Sequence, residues 1–250
     1  MSNRVQKEQE FHDHRFGGID PRTTTQKFYA VKKHVNAFFY DAVFKNCEGK
    51  KLLEYGCGAG NSSLAYLHNG AQLTGIDISV EGIERAKETV SEHGFDAKYL
   101  VMNAEEMTFE NNSFDICVGS GILHHLDMDK SISEISRVLK KEGSAYFIEP
   151  MGHNPIINWY RNRTPSMRTD DEHPLLIKDI ENLNKYFKTV NVNYFALSTL
   201  AAVPFFNTKS FNAIYSGLQK LDSLLLKSEF IGKHAWTAVI ELSDPIRQPN

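Results

Sequence analysis

Three glycines stand at alternate positions in Glu54-x-Gly56-x-Gly58-x-Gly60, directly after the apolar pair Leu52-Leu53. Glycine tolerates positive φ and lets the main chain approach a ligand closely, so a turn of this kind can seat a ligand's polar end. Two phosphate readings are disfavoured. A dinucleotide turn of the G-x-G-x-x-G type needs a third glycine where this chain has Asn61, and a P-loop needs a Gly-Lys-Ser/Thr ending that is missing. Further along, Asp77 ends the next apolar run, about 20 residues on, where a carboxylate can accept from both hydroxyls of a ribose. His124 and His125 follow the run at 114–118, and Glu149 closes the run at 144–149. Histidine beside a carboxylate suits proton transfer near neutral pH. Neighbouring residues at the start of a helix point about 100° apart, so His124 and His125 are not both expected to face one substrate.

A second group lies in residues 150–175, where His153, Arg161, Arg163, Arg168 and His173 fall close together. Arginine recognises carboxylate and phosphate bidentately, so this loop fits an anionic or polyhydroxyl substrate, or equally a solvated loop with internal ion pairs. Asp170, Asp171, Glu172 and His173 are adjacent, and adjacent residues rarely converge on one ion, so no metal is expected.

These residues need elements to position them. Strands are expected at 51–55, 71–77, 97–101, 114–118 and 144–149, alternating with helices at 62–69, 80–93 and 132–139. Such alternation calls for a parallel sheet with helices on both faces. Residues 1–10 read as a frayed polar start, and 28–44 as one amphipathic helix. Four prolines between 150 and 175 argue against one continuous element there. A helix at 177–187, a strand at 190–197 and a last strand at 236–242 complete the pattern. Between the last two strands lies an insertion at 198–233, whose second half is amphipathic; its few lysines make a weak case for a membrane surface.

The chain has 250 residues, 41% hydrophobic and 24% charged, with a formal net charge of −3. That suits a soluble globular protein with a full core and argues against bulk nucleic-acid binding. Cys47, Cys57 and Cys117 are widely spaced and form no C-x-x-C pair, which fits a reducing compartment. The N-terminus is polar and no run of about 18 apolar residues occurs, so a cytoplasmic protein is expected.

The order and spacing of these motifs resemble the class I S-adenosylmethionine-dependent methyltransferases over most of the chain. The resemblance rests on Glu54-x-Gly56-x-Gly58-x-Gly60, Gly75-Ile-Asp-Ile-Ser79, Asn103-Ala-Glu-Glu-Met107, Ser113-Phe-Asp-Ile-Cys-Val118, Ser120-Gly-Ile-Leu-His-His125 and Leu139-Lys-Lys-Glu-Gly143. It implies a Rossmann-like, doubly wound seven-stranded sheet, mostly parallel with an antiparallel last strand, as a single domain over 1–250. An N-terminal helical cap would occupy about 1–46. The cofactor implied is S-adenosylmethionine, bound by Tyr29, Glu54, Gly56, Cys57, Gly58, Asp77, Ile78, Asn103, Ala104, Glu105 and Ser120. Glu54 would support the turn and face the cofactor's ammonium. Asn103 departs from the acid usual at its position, yet its amide oxygen can still accept from adenine. Phe11-His12-Asp13 and Phe28-Tyr29 resemble the segment that closes over the cofactor, although Tyr29 reads equally well as a core aromatic.

The activity implied is methyl transfer to a small-molecule hydroxyl. His125 is then the expected general base, Glu149 its partner and His153 an alternative base. His124, Arg161 and His173 would contact the substrate. N-methylation of a small amine and a non-catalytic cofactor-binding module are the competing readings. A small-molecule substrate, no nucleic acid, no stable membrane insertion and an optional homodimer complete the expectations.

Overall fold

The computed structural model describes residues 3–18, 26–164 and 172–247. Seven strands form one sheet: β1 (Lys51–Tyr55), β2 (Gln72–Asp77), β3 (Lys98–Val101), β4 (Phe114–Ser120), β5 (Leu139–Pro150), β6 (Phe187–Phe195) and β7 (Thr237–Pro245), in the order β3-β2-β1-β4-β5-β7-β6. The pairs from β3 through β5 are parallel, and β7 runs antiparallel to both β5 and β6. This is the doubly wound sheet with a reversed last strand that the sequence predicts.

Both faces of the sheet are covered, and the alternation of side chains shows how. Along β1, Leu53 and Tyr55 pack on one face while Leu52 packs on the other. In β4, Cys117 and Ile116 divide the same way, as do Phe147 and Tyr146 in β5. Strands buried on both sides read as unbroken apolar runs, which is why the central ones are visible in sequence. On the first face lies α6 (Met128–Val138), with Ile132 and Ile135 inward. On the second lie α3 (Lys33–Phe44), α4 (Ser63–His68) and α5 (Val80–Glu92). In α3, Val35, Phe39 and Val43 are fully covered, each contributing about 1.5–3 kcal/mol relative to exposure.

Several expectations are corrected. Of the start expected to be frayed, residues 3–10 open α1 (Asn3–Gly17), which contacts α5. The helix expected at 28–44 is divided into α2 (Gln26–Ala30) and α3 by a turn at Val31 and Lys32. A straight helix would put Val31 and Val35 on one face; instead Val31 joins Leu200 and Val203 in a separate cluster while Val35 joins the sheet core. Residues 150–175 include a regular element, α7 (Pro155–Arg163). Asn154 Oδ1 caps it by accepting from the N–H of Ile156 and Ile157, both at 3.0 Å, and Pro155 sits where its missing N–H costs nothing. β5 begins at Leu139 rather than 144, with a register irregularity against β4. The helix expected at 177–187 is α8 (Ile177–Asn182) followed by a 3₁₀ turn (Leu183–Lys185). Residues 198–233 hold a 3₁₀ stretch (Ser198–Phe205), α9 (Phe211–Leu225) and α10 (Glu229–Gly232). Asp222 ties α9 back to the start of the 3₁₀ stretch by accepting from the N–H of Ser198 at 2.7 Å and the Thr199 hydroxyl at 2.9 Å.

Candidate functional site

The carboxyl ends of β1 to β5 deliver short segments to one end of the sheet, where strand order reverses between β1 and β4. A cavity of about 440 Å³ opens there, in the usual range of small-molecule sites.

The turn after β1 is built by its glycines and by Asp77. Gly58 has φ +51° and Gly60 φ +75°. A Cβ on Gly60 would lie 2.9 Å from Ala86 Cα, so the turn can nest against α5 only without a side chain there. Asp77 Oδ2 accepts from the Gly58 N–H at 2.8 Å, and Oδ1 from the Ser79 N–H at 2.9 Å. Each oxygen has a second lone pair beyond the one these bonds use. Gly56, Cys57, Gly58, Asp77 and Ile78 all line the cavity.

Asn103, Ala104, Glu105 and Ser120 line it too. The Ala104 carbonyl is fixed by the Tyr55 hydroxyl at 2.6 Å. Asn103 Oδ1 accepts from the Glu105 N–H at 3.0 Å, so the oxygen expected to face a ligand is partly engaged by its own turn. Glu105 pairs with Arg4 and accepts from the Asp127 N–H at 2.8 Å. Glu54 does not line the cavity. It is buried against the Ser63 hydroxyl, and burial pushes its carboxyl up to about 8 despite that hydrogen bond. The side chain of Tyr29 lies outside the described residues.

At the far end of β4, a 3₁₀ turn (Leu123–His125) reverses the expected assignment of the two histidines. His124, not His125, meets Glu149: Nδ1–H donates to Oε2 at 2.7 Å. Glu149 is fully buried, and its Oε1 accepts from the N–H groups of Ile122 and Leu123 at 3.0 and 2.9 Å. These three bonds fix the imidazole with Nε2 left as acceptor, 3.7 Å from Glu172 Oε1. Burial holds His124 below its ordinary value, with Glu149 opposing. His125 points its Nδ1 elsewhere, 3.5 Å from Glu8 Oε2, and that nitrogen makes no hydrogen bond.

Of the loop residues, Arg161 lines the cavity and donates to Glu172 Oε1 at 2.7 Å. Burial raises Glu172, but His124, His125 and Arg161 outweigh it and hold the carboxyl below its ordinary value. His153 is not at the cavity: its Nε2 accepts from the Ile177 N–H at 3.3 Å, beneath α8. His173 does not line it either; its N–H donates to the His124 carbonyl at 2.9 Å. Arg168, Asp170 and Asp171 lie outside the described residues.

The sequence places Phe11-His12-Asp13 in a segment that closes over the cofactor, but not the other residues of α1 that line the cavity. Val5, Glu8, His12 and Phe16 recur every three or four residues and all line the cavity. Two apolar residues separated by two polar ones give no clear hydrophobic period, so the face is hard to recognise. Arg4 Nη1 donates to the His125 carbonyl at 2.9 Å, and Asp13 accepts from the Ser79 hydroxyl, clamping α1 across the strand ends. Phe28, Tyr160 and Trp236 form an aromatic wall, the first two with ring centres 4.9 Å apart.

Residues 53–147 match a methyltransferase domain family. A ubiquinone biosynthesis O-methyltransferase of Stutzerimonas stutzeri is 32% identical over 108 residues, covering 43% of this chain and 47% of that one. A phosphatidylethanolamine N-methyltransferase of Cereibacter sphaeroides is 34% identical over 110 residues, covering 43% of this chain and 54% of that one. The chain thus spans about half the length of the curated relatives it matches. In structure it is similar to phosphoethanolamine N-methyltransferase 2 of Haemonchus contortus, with TM-score 0.62 and 20% identity over 94% of this chain and 60% of that one. The glycine turn, Asp77 and the β1–β5 order all fall in or beside the segment that matches the methyltransferase domain family, and over that segment the chain is similar to the class I S-adenosylmethionine-dependent methyltransferases.

Proposed function

We propose that the chain transfers a methyl group from S-adenosylmethionine to a hydroxyl oxygen of a small molecule, with His124 as general base. The observation that carries this reading is the His124–Glu149 pair, with His124 on the wall of the cavity that begins at the glycine turn and Glu149 buried behind it. The cavity suits the cofactor: a glycine-rich turn, two Asp77 oxygens with lone pairs to spare, and the Asn103 amide all line it. Gly56, Cys57, Gly58, Asp77, Ile78, Asn103, Ala104, Glu105 and Ser120 would hold it. When bound, the cofactor supplies a methyl group on a cationic sulfonium, already reactive toward a nucleophile.

The chain's own work is to orient the acceptor and remove its proton. Orientation in a closed cleft lowers such a barrier by about 7–11 kcal/mol. A positioned base adds roughly 10²–10⁴-fold. His124 Nε2 takes the proton, and Glu149, locked by two main-chain N–H groups, stabilises the imidazolium that results. The aromatic wall of Phe28, Tyr160 and Trp236 suits an acceptor with an apolar body, and Arg161 a neighbouring anionic group.

Glu8 and Glu172 place two carboxylates on the cavity, which favours an amine acceptor as the second reading. Incubation with labelled cofactor and fractionated small-molecule extract, followed by mass identification of the product, tests both. A hydroxyl acceptor should lose roughly a hundredfold or more in turnover with His124→Ala, whereas an amine acceptor should lose much less. Absence of cofactor binding by calorimetry at high micromolar concentration would defeat the proposal.

A further inference from the structure

The residues that α1 brings to the cavity make a second arrangement, distinct from the His124–Glu149 pair. Glu8 and His12 lie four apart on α1 and so share one face of the helix. His125 approaches that face from the turn after β4. Glu8 Oε2 stands 3.5 Å from His12 Nε2 and 3.5 Å from His125 Nδ1. The ligand atoms of all three lie within 4.8 Å of one another. Glu8 and His125 are both more than nine-tenths buried, at 6% and 8% exposure. His125 Nδ1 is aimed into this space and makes no hydrogen bond.

From this geometry we infer that Glu8, His12 and His125 form a site for a divalent transition-metal ion that staples α1 over the cleft. Zinc bonds to imidazole nitrogen and carboxylate oxygen run about 2.0–2.2 Å, which puts tetrahedral ligand atoms about 3.3–3.6 Å apart. Both measured separations from Glu8 fall in that interval. Two imidazoles and one carboxylate favour zinc, cobalt or nickel over magnesium or calcium, which prefer all-oxygen shells. An ion with three protein ligands keeps a position for water or an oxygen ligand. Adjacent acids in the 170–173 stretch play no part; the ligands come from two segments more than a hundred residues apart. The site leaves His124 Nε2 unligated, so it adds to the proposed proton transfer and does not replace it.

The full chain, freed of metal with a chelator, would be titrated with zinc chloride by calorimetry without methyl donor or acceptor, so the result is independent of the proposed activity. One equivalent should bind with micromolar or tighter affinity. Glu8→Gln and His12→Ala should each weaken binding roughly tenfold or more, while His93→Ala, at an exposed histidine that ends α5, should leave it unchanged. Zinc should also slow tryptic cleavage at Lys7 of α1, and His12→Ala should abolish that protection. His12 is only partly buried, so its variant keeps the test usable if His125→Ala misfolds. Absence of saturable binding at one equivalent would overturn the inference. So would equal affinity in the parent, Glu8→Gln and His12→Ala.

Discussion

Glu149 illustrates how much a single buried side chain can decide. Its two oxygens accept three hydrogen bonds, one from His124 and two from the turn that carries it. Glu149→Gln should therefore disturb the orientation of His124 and lower kcat more than it raises KM, as steady-state kinetics would show. Because burial depresses the pKa of His124, the imidazole stays neutral to below its ordinary 6.5. The acid limb of kcat/KM is expected below pH 6.5, and its absence in His124→Ala would assign it. Glu54 is the opposite case. Its folded carboxyl titrates at about 8 against an ordinary 4.5. Between those values the unfolded chain gives up the proton first, so stability falls as pH rises from about 4.5 to 8, by an amount on the order of a few kcal/mol. Glu54→Gln should flatten this decline, giving a higher melting temperature than the parent at about pH 8.5 and a similar one at low pH.

At the level of elements, the turn after β1 and the helix α1 carry the cavity. The turn depends on a backbone that only glycine adopts without strain. Gly60→Ala places a methyl against the backbone of α5 at φ +75°. The expected cost is about 1–3 kcal/mol, read as a melting temperature lowered by roughly 2–4 °C per kcal/mol. For α1 the contacts are side-chain clamps rather than a continuous apolar stripe: Arg4 to Glu105 and the His125 carbonyl, and Asp13 to Ser79. Arg4→Ala should loosen the helix and weaken cofactor binding several-fold by calorimetry, with little change in far-UV circular dichroism. The sheet does not depend on those clamps.

Across the whole molecule, a sheet covered on both faces presents its strand ends to the cavity, while α1 and α7 enclose the ligand end. Among the described residues no helix is long and apolar enough to cross a membrane. A chain lacking residues 1–18 should keep its sheet signature yet bind cofactor more weakly, since Val5, Glu8, His12 and Phe16 form one side of the cavity. The sequence alone determined the central strands, their parallel order, the glycine turn and the position of Asp77. Each of these depends on local patterns: apolar runs buried on both faces, glycine where φ is positive, and an acid at a strand end. It did not determine which histidine meets Glu149, because a 3₁₀ turn and two main-chain N–H groups orient the pair. It placed Phe11-His12-Asp13 in a closing segment but did not reveal Val5, Glu8 and Phe16 beside it on the cavity, since α1 is held by partners far away in the chain. Pairings such as Arg4 with Glu105, or Glu8 with His125, join residues far apart in the chain. Only the tertiary structure decides them, because nothing in the local sequence specifies which distant charge will close the contact.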